Sequence, residues 1–230
     1  MDLKVSTQSI QTQTVRNLRE AIISGMFQPG DRLVEADMCA RLGVSRPSLR
    51  EALRSLEAER LLIIVPKKGS YIPSLTLEEA REIYETRALL EGEAVALFVS
   101  RATEDAIAAM TRALADFDLA AEQELLGEQI RATREFYEHI LSGCGHRTIQ
   151  EMLNMLTARI TFLRSKSMSQ PGRAENSSRE MKAILQAIVG RDPESARAAA
   201  IEHVKLACEA VTEALLAETA RQKDRRSTRG

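Results

Sequence analysis

Residues 41–56 read RLGVSRPSLREALRSL, and the front half of the chain is understood outward from them. Gly43 suits the left-handed residue that ends a helix. Ser45 is a good cap for the next helix, and Pro47 is tolerated in its first turn, where the missing N–H is not needed. Leu49, Leu53 and Leu56 form an apolar stripe, Ala52 allows close approach, and Arg46, Ser48, Arg50 and Arg54 fall mostly off it. Upstream, a short helix spans about Val34–Leu42 with Met38 and Leu42 on its packing face. Before it, Val15, Leu18, Ile22 and Ile23 predict a helix over about 9–25, stopped at Gly25 and followed by a turn at Phe27–Asp31. Downstream, Leu62–Val65 and Tyr71–Pro73 predict two short strands around a hairpin tip at Pro66–Ser70. The pattern is a helix-turn-helix followed by a wing.

That arrangement places its second helix in the major groove of DNA. Arg46 and Arg50 are one turn apart, so both can face one groove and fork onto guanine edges. Ser45 and Ser48 can hold phosphate, and Lys67, Lys68 and Gly69 sit on a protruding turn suited to the backbone. Charge agrees in direction. Residues 1–74 hold 11 Lys+Arg against 8 Asp+Glu, a net of +3, whereas residues 75–220 sum to −8 and the last ten residues carry five bases and one acid. A basic front on an acidic body fits a nucleic-acid module joined to a domain with another task.

The remainder reads as helical. In 230 residues, apolar side chains make up 44%, enough for a core, while aromatics are only 3% and Trp is lacking, which disfavours a β-rich fold. No apolar run approaches the length of a membrane helix, and MDLKVSTQSIQTQTV lacks the apolar stretch of a secretory signal. Cys39, Cys144 and Cys208 form no CxxC pair and are expected to act as small apolar residues in a reducing cytoplasm. About six helices are expected: 76–100, 103–118 or beyond, 122–142, 147–167, 178–190, and one from Asp192 past Ala220, with 167–177 as a loop and a frayed basic tail. The domains are a winged helix-turn-helix at 9–74, a linker at 75–77, an all-α bundle at 78–222 and a disordered tail at 223–230.

Polar residues fall on the inward faces of these helices. Ile83, Arg87, Leu90 and Ala94 share one face, with Glu91 four residues from Arg87. An Arg in an apolar stripe must be paired or hold an anion, since an unpaired buried charge is very costly; both readings of Arg87 stand. Thr133 and Tyr137 share a face with Ile130 and Ile140, Met181 lies with Ile184, Leu185 and Ile188, and His203 lies with Ala196, Ala199, Leu206 and Ala210.

The stretch PGDRLVEADMCARLGVSRPSLREALRSLEAERLLIIVPKKGSYI resembles the DNA-binding domain of the GntR family of bacterial transcription regulators. EIYETRALLEGEAVAL, FYEHILSGCGHRTI and EMKAILQAIVGRDPESARAAAIEHV resemble the FCD effector domain that many of them carry. The resemblance implies a mainly α fold and a cytoplasmic homodimeric regulator rather than an enzyme. It implies a repressor of operator DNA controlled by a small organic acid. It places Ser45, Arg46, Ser48, Arg50, Lys67, Lys68 and Gly69 on DNA, and Arg87, Thr133, Tyr137, Met181 and His203 around the effector. An Arg that reads DNA early in the second helix of some members is replaced here by Glu35-Ala36-Asp37. Many members also hold a divalent metal through an Asp and three His. Here those positions are Thr133, Tyr137, Met181 and His203, a poor donor set. His139 points to the opposite face, and His146 sits in a turn. No metal and no cofactor are therefore expected, and Arg87 becomes the candidate anion anchor. The other possibility is a helical domain kept only as a dimerisation scaffold.

Overall fold

The computed structural model describes residues 10–23, 26, 27, 30–73 and 75–227. The chain divides into two compact units, residues 1–75 and 76–230.

In the first unit, α1 (Ile10–Ile23), α2 (Glu35–Leu42) and α3 (Arg46–Ala58) surround a small core. Leu18 and Ile22 of α1 bury against the face of α3 that carries Leu49, Ala52, Leu53 and Leu56. Each fully buried leucine there contributes about 1.5–3 kcal/mol. Gly43 ends α2 in the left-handed conformation with φ 66°, and Ser45 caps α3 by accepting from the Ser48 amide. The residues that mark the turn in sequence are those that make it.

The wing differs in detail from its sequence reading. Three strands pair antiparallel in the order β1 (Arg32–Leu33), β3 (Gly69–Tyr71), β2 (Ile63–Val65). β1 has only two residues, too few to show alternation, so the third strand has no sequence signature. Gly69 and Ser70, assigned above to the hairpin tip, instead pair with Val65 and Ile64 as strand residues. The tip is Pro66–Lys68, with Lys67 at φ 63°.

The second unit is a bundle of α4 (Leu77–Val99), α5 (Glu104–Glu122), α6 (Leu126–Gly143), α7 (Arg147–Met168), α8 (Arg173–Val189) and α9 (Pro193–Ser227). Thr76 and Glu79 close a reciprocal capping box at the start of α4. α4 lies along α9, closely enough that a Cβ on Gly92 would stand 2.8 Å from Ile201 Cγ1. α5 packs on α6 and α8, while α7 touches α4, α6 and α9.

Three expectations are corrected here. α8 begins at Arg173, not 178, so Ser177 and Ser178 are buried within it, and Ser178 Oγ donates to Asp118 of α5. The buried face of α9 runs through Ala196, Ala200, His203, Val204, Ala207 and Val211, so Ala199, Leu206 and Ala210 flank it. α9 also continues to Ser227 through most of the segment expected to fray.

Candidate functional site

Two sites stand out, one in each unit. On the first, a groove of about 550 Å³ lies between α3 and the wing. Arg46 and Arg50 project from the start of α3, Lys67 and Lys68 from the tip, and Gly69 from the wing edge. Ser45 and Ser48 do not line the groove; their hydroxyls lie 3.0 Å apart and serve the cap. Arg32 and Arg54 also line it. Arg32 escaped the sequence reading because β1 did, and its guanidinium lies against Gly69, where a Cβ would sit 3.3 Å from Nε. One acidic residue, Glu35, faces this basic groove, and both its carboxylate oxygens accept from Arg50 Nε at 3.0 and 3.1 Å. The same hydrogen bond raises the Arg50 pKa.

In the second unit a cavity of about 480 Å³ opens between α4, α6 and α7. Its wall includes Glu91, Tyr137, Thr157, Thr161 and Arg164, with Arg134, Glu138 and Asn154 also lining it. Of the five residues read from the sequence as facing an effector, only Tyr137 lines this space. Arg87 is 1% exposed and is turned onto Glu91, giving Nε to Oε1 at 2.8 Å and Nη2 to Oε2 at 3.3 Å. Burial works against its charge, but Glu91 outweighs that and its pKa is raised. Thr133 spends its hydroxyl on the Gln129 carbonyl at 2.8 Å, and Met181 is wholly buried.

Arg164 is the residue the sequence reading missed. It is 7% exposed, lines the cavity, and has no ion pair within 4 Å among the described residues. Its guanidinium carbon lies 5.8 Å from the centre of the Tyr137 ring. Burial, aided by the Arg87 charge, lowers its pKa to about 10. Tyr137 Oη is buried without a hydrogen-bond partner among the described residues, and burial raises the phenol's pKa. The sequence does hold a signal for Arg164. It follows Leu153, Ile160 and Thr161 by eleven, four and three residues, on one face of α7.

The four positions that the resemblance marks for a metal, Thr133, Tyr137, Met181 and His203, do not gather as ligands here. His203 Nδ1 lies 2.7 Å from Glu180 Oε2, and Arg173 grips the same carboxylate through bonds of 2.9 and 2.8 Å. Ser167 Oγ accepts from Arg173 Nε at 3.3 Å. The His203 ring stacks on Tyr137 with centroids 5.9 Å apart. A hydroxyl bonded to its own helix, a phenol, a thioether and an imidazole facing a carboxylate held by arginine do not fit a divalent ion. Among the described residues no three His, Cys, Asp or Glu side chains gather as a metal site.

Acid should loosen this network. Burial lowers the His203 pKa below its ordinary value. Burial opposes Glu180's charge, but bonds from His203 and Arg173 prevail and hold its pKa down. A depressed imidazole destabilises the fold once pH falls below about 6.5, the unfolded value. The Glu180 contribution is present above the unfolded carboxylate value and is lost as pH falls through the folded one. Thermal melts from pH 7.5 to 5 should therefore decline, and His203→Gln should flatten the part below about pH 6.5. An identical decline in the variant would show that other groups control it.

Comparison with known proteins places both units. Residues 10–72 match the profile of bacterial regulatory proteins of the gntR family, and residues 82–206 match the FCD domain. The chain is 30% identical over 198 residues to the HTH-type transcriptional regulator YdhC of Bacillus subtilis, covering 86% of this chain and 88% of that one. It is 32% identical over 155 residues to the HTH-type transcriptional repressor GlaR of Escherichia coli, covering 64% and 70%. Among solved structures, E. coli McbR/YncC superposes with a TM-score of 0.76 at 25% identity, covering 86% of this chain and 95% of that one. Among the described residues no helix is long and apolar enough to cross a membrane. The chain belongs to the GntR family and is a DNA-binding transcription regulator with an FCD domain, not an enzyme.

Proposed function

We propose that this regulator is a homodimeric repressor released from its operator by a small organic acid, whose carboxylate pairs with Arg164. One observation carries the effector half: a buried guanidinium on a cavity wall without a carboxylate partner within 4 Å among the described residues. The surrounding charge supports it. Arg87, Arg164 and Arg173 are buried with Glu91, Arg173 pairs with the half-buried Glu180, and His203 has its pKa lowered. Three guanidinium groups and two carboxylates leave one positive charge in excess, which one anion neutralises. Guanidinium suits a carboxylate because two parallel N–H bonds match its oxygens. Beside it, the Tyr137 phenol supplies a donor without a partner among the described residues, whereas the Thr157 and Thr161 hydroxyls donate to carbonyls of their own helix. A relative named as a repressor supports the sign of regulation.

The test is a panel of small mono- and dicarboxylic acids added to the full-length protein. An effector at a hundred times its Kd should stabilise the fold by about 2.7 kcal/mol. For a chain of this size that raises Tm by about 5–10 °C. The same acid should release operator DNA. If no acid shifts the melt at millimolar concentration, the helical domain is a scaffold rather than a sensor.

On the DNA side, Ser45, Arg46, Ser48, Arg50, Lys67, Lys68 and Gly69 are the proposed contacts. Arg46→Ala and Arg50→Ala should each weaken specific binding by about 1–3 kcal/mol, the scale of a lost bidentate base contact. Anisotropy titrations on a selected operator duplex would read this. Unchanged affinity in both variants would remove α3 from the groove.

A further inference from the structure

The geometry points to Glu35 as a positioning residue for sequence readout: it holds Arg50 by one edge so that the opposite edge is presented to a base. The inference rests on the reading of Arg50 as a base contact. Glu35 is the first residue of α2, Arg50 lies one turn into α3, and the turn between the helices brings them together. Both Glu35 oxygens take the single Nε–H of Arg50. Guanidinium has five N–H donors in a rigid fork, so four remain. Among the described residues neither terminal nitrogen of Arg50 has a hydrogen bond, and the side chain is 63% exposed. The free end is the edge that fits the O6 and N7 acceptors of guanine.

Glu35 is well placed for this task. Its carboxylate stands at the N-terminus of α2, where the helix dipole favours negative charge, and Val34 supplies no side-chain cap there. Arg46, its neighbour in the groove, has no such acceptor among the described residues. The two arginines thus differ: Arg50 is oriented before DNA arrives, whereas Arg46 must be ordered on binding. Orienting a long side chain in advance removes part of the ordering cost of its contact. An acid in a basic groove also repels phosphate, which lowers non-specific affinity. The arrangement raises the ratio of specific to non-specific binding from both sides.

The test uses the full-length protein and a randomised double-stranded DNA pool. Selected duplexes are then titrated at fixed salt with every base pair substituted in turn. Arg50→Ala should erase preference at one position per half-site. Glu35→Ala should reduce preference at that same position by about tenfold, while affinity for random duplex stays level or rises. Glu35→Gln, which keeps an acceptor for Nε without the charge, should retain most of the preference and also bind random duplex more tightly. If Glu35→Ala keeps full preference where Arg50→Ala loses it, the positioning role is wrong and Arg50 still reads the base. If Arg50→Ala alters no position, the reading of Arg50 fails and the inference with it. A Glu35→Ala protein that loses specific and random binding together has a damaged head, which also overturns the proposal.

Discussion

Arg164→Met is expected to make the ligand-free protein more stable while abolishing its response to the effector. The two effects have one origin. Arg164 is buried and lacks a carboxylate partner among the described residues, and burial lowers its pKa to about 10, so its charge is held at a cost. Methionine fills similar space without that charge and adapts to irregular walls. Replacing poorly compensated buried charge with an apolar side chain gains about 1–3 kcal/mol, a rise in Tm of several degrees for a chain of this size. Ligand affinity should fall by about 30-fold or more, because truncating one partner of a buried charge pair costs upward of about 2 kcal/mol. Melting curves of both proteins with and without the acid measure both effects. A lower melting temperature in the variant, or a ligand shift equal to that of the wild type, would sink the assignment.

Glu91→Ala should act in the opposite direction and more strongly. Glu91 is the carboxylate that Arg87 grips, 4% exposed, and it also lines the cavity. Its removal leaves Arg87 without its ion-pair partner and Arg164 without the carboxylate that favours its charge. Breaking a buried pair by deleting one member costs about 3–5 kcal/mol, which lowers Tm by about 10 °C. Glu91→Gln, which keeps the shape and one acceptor, should lose less. Combining Glu91→Ala with Arg164→Met should recover part of the loss, since the two sites share one electrostatic environment. Urea unfolding of the four proteins tests this; strict additivity would mean that Arg164 does not feel Glu91.

In sequence, Arg87 lies in the apolar stripe of α4, where an ion pair and a bound anion are equally open to it. The structure gives Arg87 to Glu91, one turn along the same helix. An i, i+4 pair is visible in sequence, but whether burial then closes it against a ligand depends on neighbouring helices. Arg164 shows the converse. Its periodic face on α7 was legible, yet nothing local says that it forms no ion pair within 4 Å among the described residues. The resemblance marked Thr133, Tyr137, Met181 and His203 as positions with a poor donor set for a metal. The network that stands there, Glu180 between Arg173 and His203, was not legible, because it joins side chains 7 and 23 residues apart.

Amino-acid order alone determined what depends on short range. Gly43, Ser45 and Pro47 mark the turn and the start of the third helix, and leucine spacing defines its buried face, because caps and periodicity act within a turn or two. Tertiary packing decided the rest: where β1 pairs, which face of α9 turns inward, and which buried arginine keeps its charge uncancelled. A charge's fate depends on distance and desolvation in three dimensions, and both are settled only when helices far apart in the chain close around it.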